Sequence, residues 1–184
     1  MGNETQSQTE IQMTWNIDKA HSEIDFAVRH MMISTVRGKF ARFEADVSVD
    51  PAKLEEAKVT ARIDAASIDT AEEKRDGHLR SPDFFDVANY PTLTFTSTKV
   101  TRNGDDLEVT GNLKIKDQEH PLTLKGEVTG PGKDPWGSSR IGFSLSGEID
   151  REKWGLTWNQ ALEAGGVLVA KKVKITLETQ LVQS

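Results

Sequence analysis

The chain of 184 residues carries 29 acidic side chains against 23 Lys and Arg, a formal net charge of −6, and no cysteine. That length suits one domain large enough for a core or for a closed barrel around a cavity. The acidic balance argues against a nucleic-acid partner, and the absence of thiols removes disulfides, thiolate metal sites and cysteine nucleophiles.

Residues 1–12 are polar, with neither the basic start and apolar run of a signal peptide nor the length of a membrane span. They read as a flexible N-terminal tail ahead of a single domain over 13–184. The expected location is the cytoplasm, which a cysteine-free chain suits. From Trp15 onward apolar and polar residues alternate. Ile24, Phe26, Val28 and His30 share one face by the two-residue period of a strand. After Met31-Met32-Ile33-Ser34-Thr35 the run resumes as Val36, Gly38 and Phe40. It then slips by one residue to Phe43, Ala45, Val47 and Val49, which predicts one long strand bent by a β-bulge. Asp50-Pro51 ends it, Leu54–Ala57 is at most a helical turn, and Val59, Ala61, Ile63 and Ala65 form the next strand face.

Residues 74–91 break the pattern, gathering charges of both signs, His78, Phe84, Phe85 and two prolines. Thr70 and Glu73 match a capping box, so a helix is predicted from about Ala71 to Leu79, stopped by Pro82. Its expected role is a short lid, around residues 71–80, over one end of a barrel. Strand patterns return through Leu93 and Phe95, through Leu113 and Ile115, and through Leu122 and Leu124. Gly130–Pro135 reads as a wide loop, followed by strands through Phe143 and Leu145 and finally through Val173, Ile175 and Leu177. The expected class is all-β: an extended antiparallel barrel of eight strands or slightly more, with short hairpin connections. Glycines 38, 111, 126, 142 and 147 fall inside strands, where they cost stability unless they permit a bend or leave room inside.

Taken in order, Asp18-x-x-His21-Ser22, Phe26-x-Val28-x-His30, Val36-x-Gly38-x-Phe40, Arg75-Asp76-x-His78-Leu79, Phe84-Phe85-Asp86 and Tyr90-Pro91 resemble the YceI-like family of polyisoprenoid-binding proteins. Gly111-x-Leu113-x-Ile115 and Asp150-Arg151-x-x-Trp154-Gly155 extend the likeness over about Met13 to Val182. The resemblance implies a lipocalin-like barrel. It also implies a long isoprenoid lipid or isoprenoid quinone as bound ligand, no other cofactor, and a homodimer in some members.

On that reading Phe26, Val28, His30, Phe40, Phe43, Ile63, Ala65, Phe95, Leu113, Phe143 and Leu145 are the candidate cavity lining. Phe84 or Phe85 plugs one end, and Trp154 and Trp158 cover the other rim or anchor a dimer contact. The same apolar rows equally describe a dry, filled core. Arg75, Asp76 and His78 read either as a polar latch touching a ligand head group or as a salt-bridged helix that needs no ligand. Four scattered histidines form no recognisable metal site, and no G-x-S-x-G motif is present. The leading expectation is a non-enzymatic carrier or store of a long apolar isoprenoid. The alternatives are an enzyme using His78 or His30 as acid or base, and a filled barrel that serves in stress or interaction.

Overall fold

The computed structural model describes residues 14–163 and 165–183; the tail expected over 1–12 lies outside them. Eleven strands form one antiparallel sheet: β1 (Trp15–Ile17), β2 (Glu23–His30), β3 (Ser34–Phe40), β4 (Phe43–Ser48), β5 (Lys58–Asp64), β6 (Ile68–Asp69), β7 (Thr92–Asn103), β8 (Asp106–Ile115), β9 (Gln118–Lys133), β10 (Ser139–Asp150) and β11 (Val169–Gln183). One helix, α1 (Glu73–Arg80), interrupts them. The hydrogen-bonded order is β4-β5-β7-β8-β9-β10-β11-β2-β3-β6, with β1 paired to β11. The sheet curls into a half-barrel around a core that includes Leu54, Ile68, Phe95, Leu113, Leu124, Ile141 and Leu181. Two-residue loops join β7 to β8 and β8 to β9, as their polar connectors predict.

Four local expectations are corrected. The predicted single strand through Phe40 and Phe43 is two strands that never pair, and β3 and β4 lie near opposite ends of the sheet path. The chain turns a corner at Ala41 and Arg42, because Ser67 takes both amides: Ala41 N donates to Ser67 O at 3.1 Å and Arg42 N to Ser67 Oγ at 3.0 Å. Second, Ala65 leaves the strand and opens a 3-10 turn, Ala65–Ser67, capped by the Asp64 side chain. Third, the capping box is not formed. Glu72 is the N-cap and accepts from Lys74 N and Arg75 N, while the Thr70 hydroxyl is engaged by Asp76. Farther on, the expected loop at Gly130–Pro135 is largely strand: β9 continues to Lys133 and the turn lies beyond it.

Gly38, Gly111, Gly126 and Gly147 fit close approach, whereas Gly142 has ordinary room around it. A Cβ at Gly126 would run into the backbone oxygen of Ser144 on the neighbouring strand, and one at Gly111 would sit 2.5 Å from the Phe95 ring. At Gly38 it would strike Phe26. Phe26 and Phe95 therefore lie across bare backbone, which keeps their rings against the wall.

A charged network ties the start of the chain to the β9–β10 hairpin. Arg140 donates to Asp18 at 2.6 Å and to Asp134 at 2.8 Å. The Arg140 guanidinium, helped by His21, holds the Asp18 carboxyl down to about 2. A depressed carboxyl stabilises the fold above its unfolded value and loses that contribution as pH falls through its folded value. Asp18→Asn is therefore expected to lower the urea midpoint near neutral pH, with the gap from the parent closing between about pH 4 and pH 2. Urea titrations across that range measure it.

Candidate functional site

Two apolar cavities lie end to end inside the curl. The first, about 170 Å³, is walled by β2, β3, β5, β7–β11 and the segment around α1, and its lining includes Phe26, Val28, Phe40, Ile63, Phe84, Phe85, Phe95 and Leu113. The second, about 140 Å³, is lined by Phe43, Ala45, Val47, Phe95, Phe143, Leu145 and others, with the turn at Leu54 at its far end. Ile24, Ala61, Phe95, Leu124 and Leu177 line both, so they form a shared waist. Asp25 and Arg151 are the only polar residues of the first lining and Thr179 of the second. An apolar void of about 150 Å³ stays dry and accepts a benzene-sized guest. Each chamber is of that size, so the interior is neither solid nor a wide tunnel.

A third space opens sideways. The sheet path ends at β4 on one side and at β3 and β6 on the other, and between these edges lies a cleft of about 820 Å³. Its floor includes Ile24, Phe40, Phe43 and Ile63, residues that also line the inner chambers; its rim carries Lys19, Lys39, Arg42, Glu44, Arg62 and Asp64. Lys19 Nζ reaches Glu44 across the seam at 3.7 Å, an exposed pair worth little by itself.

The remaining predicted residues lie off both chamber walls. Ala65 is fully buried beneath its turn, where its amide donates to Pro91 O. His30 ends β2, its carbonyl accepting from Ser34 Oγ. Trp154 is buried, donates from Nε1 to Leu113 O at 2.8 Å and packs edge-on against His120. Trp158 does not cover an opposite rim. Its ring centroid lies 4.6 Å from that of His78 and 5.5 Å from that of Phe84, so it shares the α1 end of the barrel.

At that end Arg75, Asp76 and His78 fasten the helix. Buried Asp76 accepts from Thr70 N at 2.8 Å and from Thr70 Oγ1. Arg75 donates to Thr70 Oγ1 and Thr70 O, and Arg80 straps the helix to Ala66 O and Ile68 O. His78 Nε2 pairs with Asp83 at 2.9 Å. These bonds hold α1 down as a fixed cover, with Leu79, Phe84 and Phe85 turned to the chamber.

Arg151, which the sequence reading left without a role, closes the same end. It is buried, and its guanidinium donates to the carbonyls of Leu156, Trp158, Val169 and Ala170. Desolvation pulls its pKa down, the cost of a buried cation satisfied by neutral acceptors. Burial, then Glu23, pushes the Asp25 carboxyl up. Ile24 and Leu177, missed as lining, sat on alternating rows already legible; Leu156 sits in a loop with no period to reveal it. Among the described residues no group of three His, Asp or Glu side chains is placed to hold a metal, and no helix is long and apolar enough to cross a membrane.

The model of the YceI-like domain matches residues 15–181. The chain belongs to that family. Among curated relatives, a UPF0312 protein of Staphylococcus epidermidis is 42% identical over 161 residues, 87% of this chain and 92% of the relative. Of solved structures, Burkholderia cenocepacia BcnA superposes with a TM-score of 0.77 at 25% identity, covering 90% of this chain and 99% of that one. A polyisoprenoid binding domain from Saccharophagus degradans, implicated in plant cell wall breakdown, shares the fold at a TM-score of 0.66 and 16% identity, over 92% and 98% of the two chains. The curled antiparallel sheet of this YceI-like chain is thus the family's fold.

Two substitutions probe the cover and the wall. Asp76→Ala leaves the buried Thr70 amide without its acceptor and is expected to cost roughly 2–3 kcal/mol in urea unfolding, with Asp76→Asn costing less. Gly38→Val presses on the Phe26 ring and on the Thr70 methyl beside it. The expected result is a folded protein that binds an apolar fluorescent probe about fourfold more weakly for each methylene-sized group displaced, read by titration.

Proposed function

We propose that this YceI-like protein binds a long apolar isoprenoid in its interior, as a carrier or store and without chemical turnover. The observation that carries the reading is the pair of chambers, apolar along nearly their whole lining and joined at the Ala61–Phe95 waist. The polyisoprenoid binding of the Saccharophagus degradans domain supports it by analogy of fold. An isoprenoid tail needs no polar anchor there, since each buried methylene contributes roughly 0.8 kcal/mol. Each chamber in its present form matches little more than one isoprene unit, so a longer chain threads the waist by displacing side chains. The open cleft between β3 and β4 offers its polar end a place beside charge and water. His78 and His30, the histidines an enzyme would use, lie off both chamber walls.

Organic extraction of the purified protein followed by mass spectrometry tests this. Intact isoprenoid at near one molecule per chain is expected; a clean extract from protein that also fails to take up added polyprenol would sink the reading. Ala61→Phe narrows the waist, and the retained lipid is expected to shorten or disappear while the unfolding free energy in urea falls by no more than about 1–3 kcal/mol.

A further inference from the structure

Two loop tips meet beside the α1 end of the barrel. The β2–β3 turn exposes Met31, Met32 and Ile33, the last at 78%, and the loop before β11 exposes Val167. They are joined: Met31 N donates to Leu168 O at 2.7 Å, and a Cβ at Gly166 would lie 3.6 Å from Met32 Cγ. Four large apolar side chains thus project as one ridge. Hydrogen bonds tie its loops from Ile33 N to His30 O, Leu162 N to Gly166 O and Leu168 N to Gln160 O.

The flanks carry four cations. Arg29 donates to Met32 O at 3.3 Å, and Arg37, Lys171 and Lys172 stand exposed on the adjoining strands. Glu163 is the acid on the ridge itself, and Lys171 and Lys172 also meet Glu152 and Glu148 at 3.4 and 3.5 Å. On a chain of net charge −6 this surround is close to balanced, four cations standing against Glu163, Glu152 and Glu148. The loop bearing Val167 also starts from Trp158, whose ring packs against His78 and Phe84 over the first chamber.

We propose that this ridge is a docking surface for an anionic lipid bilayer, with Met31, Met32, Ile33 and Val167 entering the acyl boundary and Arg29 and its neighbours meeting lipid phosphates. β3 pairs with β2 along its length and with β6 only at Lys39 and Phe40, so its Ser34–Gly38 edge is open; the four apolar tips lie beyond that edge, on the turn and the loop. The proposal rests on the isoprenoid-binding reading, since it brings the membrane that holds such a lipid to the closed end of the chamber.

Sedimentation of the full chain with vesicles of phosphatidylglycerol, and separately of phosphatidylcholine, tests the docking. Binding to the anionic vesicles is expected, weak on the zwitterionic ones, and reduced in about 0.5 M salt. The pair Met32→Glu with Ile33→Glu is expected to lower bound protein by at least about tenfold, and Arg29→Glu by less, while extraction of each variant yields the same lipid as the parent. No binding to either vesicle, or equal binding by the ridge variant, overturns the proposal. So does a ridge variant that changes oligomeric mass when vesicles are not bound, which would make the ridge a contact between copies of the chain. A parent that binds vesicles but carries no lipid overturns the isoprenoid reading and leaves the docking standing.

Discussion

The corner at Ala41 and Arg42 decides the shape of the molecule. Had β3 and β4 continued as one bulged strand, the sheet would run on past Phe40; with both corner amides satisfied by Ser67, the chain leaves one side of the sheet and starts the other. From β4 the strands β5, β7, β8, β9 and β10 then lead back to β11 as successive antiparallel neighbours while β6 pairs with β3, and no ladder among the described residues joins β4 to β3 or β6. Ser67 is itself buried and its hydroxyl also donates to Asp64 O at 2.6 Å, so the corner is pinned from inside the barrel.

The interior reflects a second balance. Aromatic rings are the most effective fillers a core has, yet two of the largest here are flattened onto glycine backbone, and Ala61 and Ala45 stand where larger side chains would close the space. Voids in a packed protein forgo stability of order 24 cal/mol per Å³, so chambers of about 170 and 140 Å³ represent several kcal/mol that a guest recovers on entry. The strapping of α1 by Asp76, Arg75 and Arg80, and of the opposite loop by Arg151, holds the end of the sheet in shape while that space stays open.

Periodicity made the strands legible, because alternation of Ile24, Phe26 and Val28 or of Leu113 and Ile115 is a local property. The lining followed for the same reason: residues on the inward face of a curled sheet line whatever it encloses. What local pattern hid was long-range. The slip between Phe40 and Phe43 has the form of a bulge in sequence, and only Ser67, about 25 residues away, makes it a corner. The T-x-x-E spacing at Thr70 was genuine, but Asp76 competes for that hydroxyl. Trp158 and Arg151 act through loops that have no period, and their side of the barrel was set by where β11 pairs.

The two unfastened edges also bear on self-assembly. Along β3 the outward residues include Arg37 and Lys39; along β4 they include Glu44 and Asp46. A symmetric dimer made by continuing the sheet across either edge would set base against base or acid against acid. Folding back upon itself is the arrangement that puts unlike signs opposite one another, so the border left unzipped is also poorly suited to fusing with its own twin.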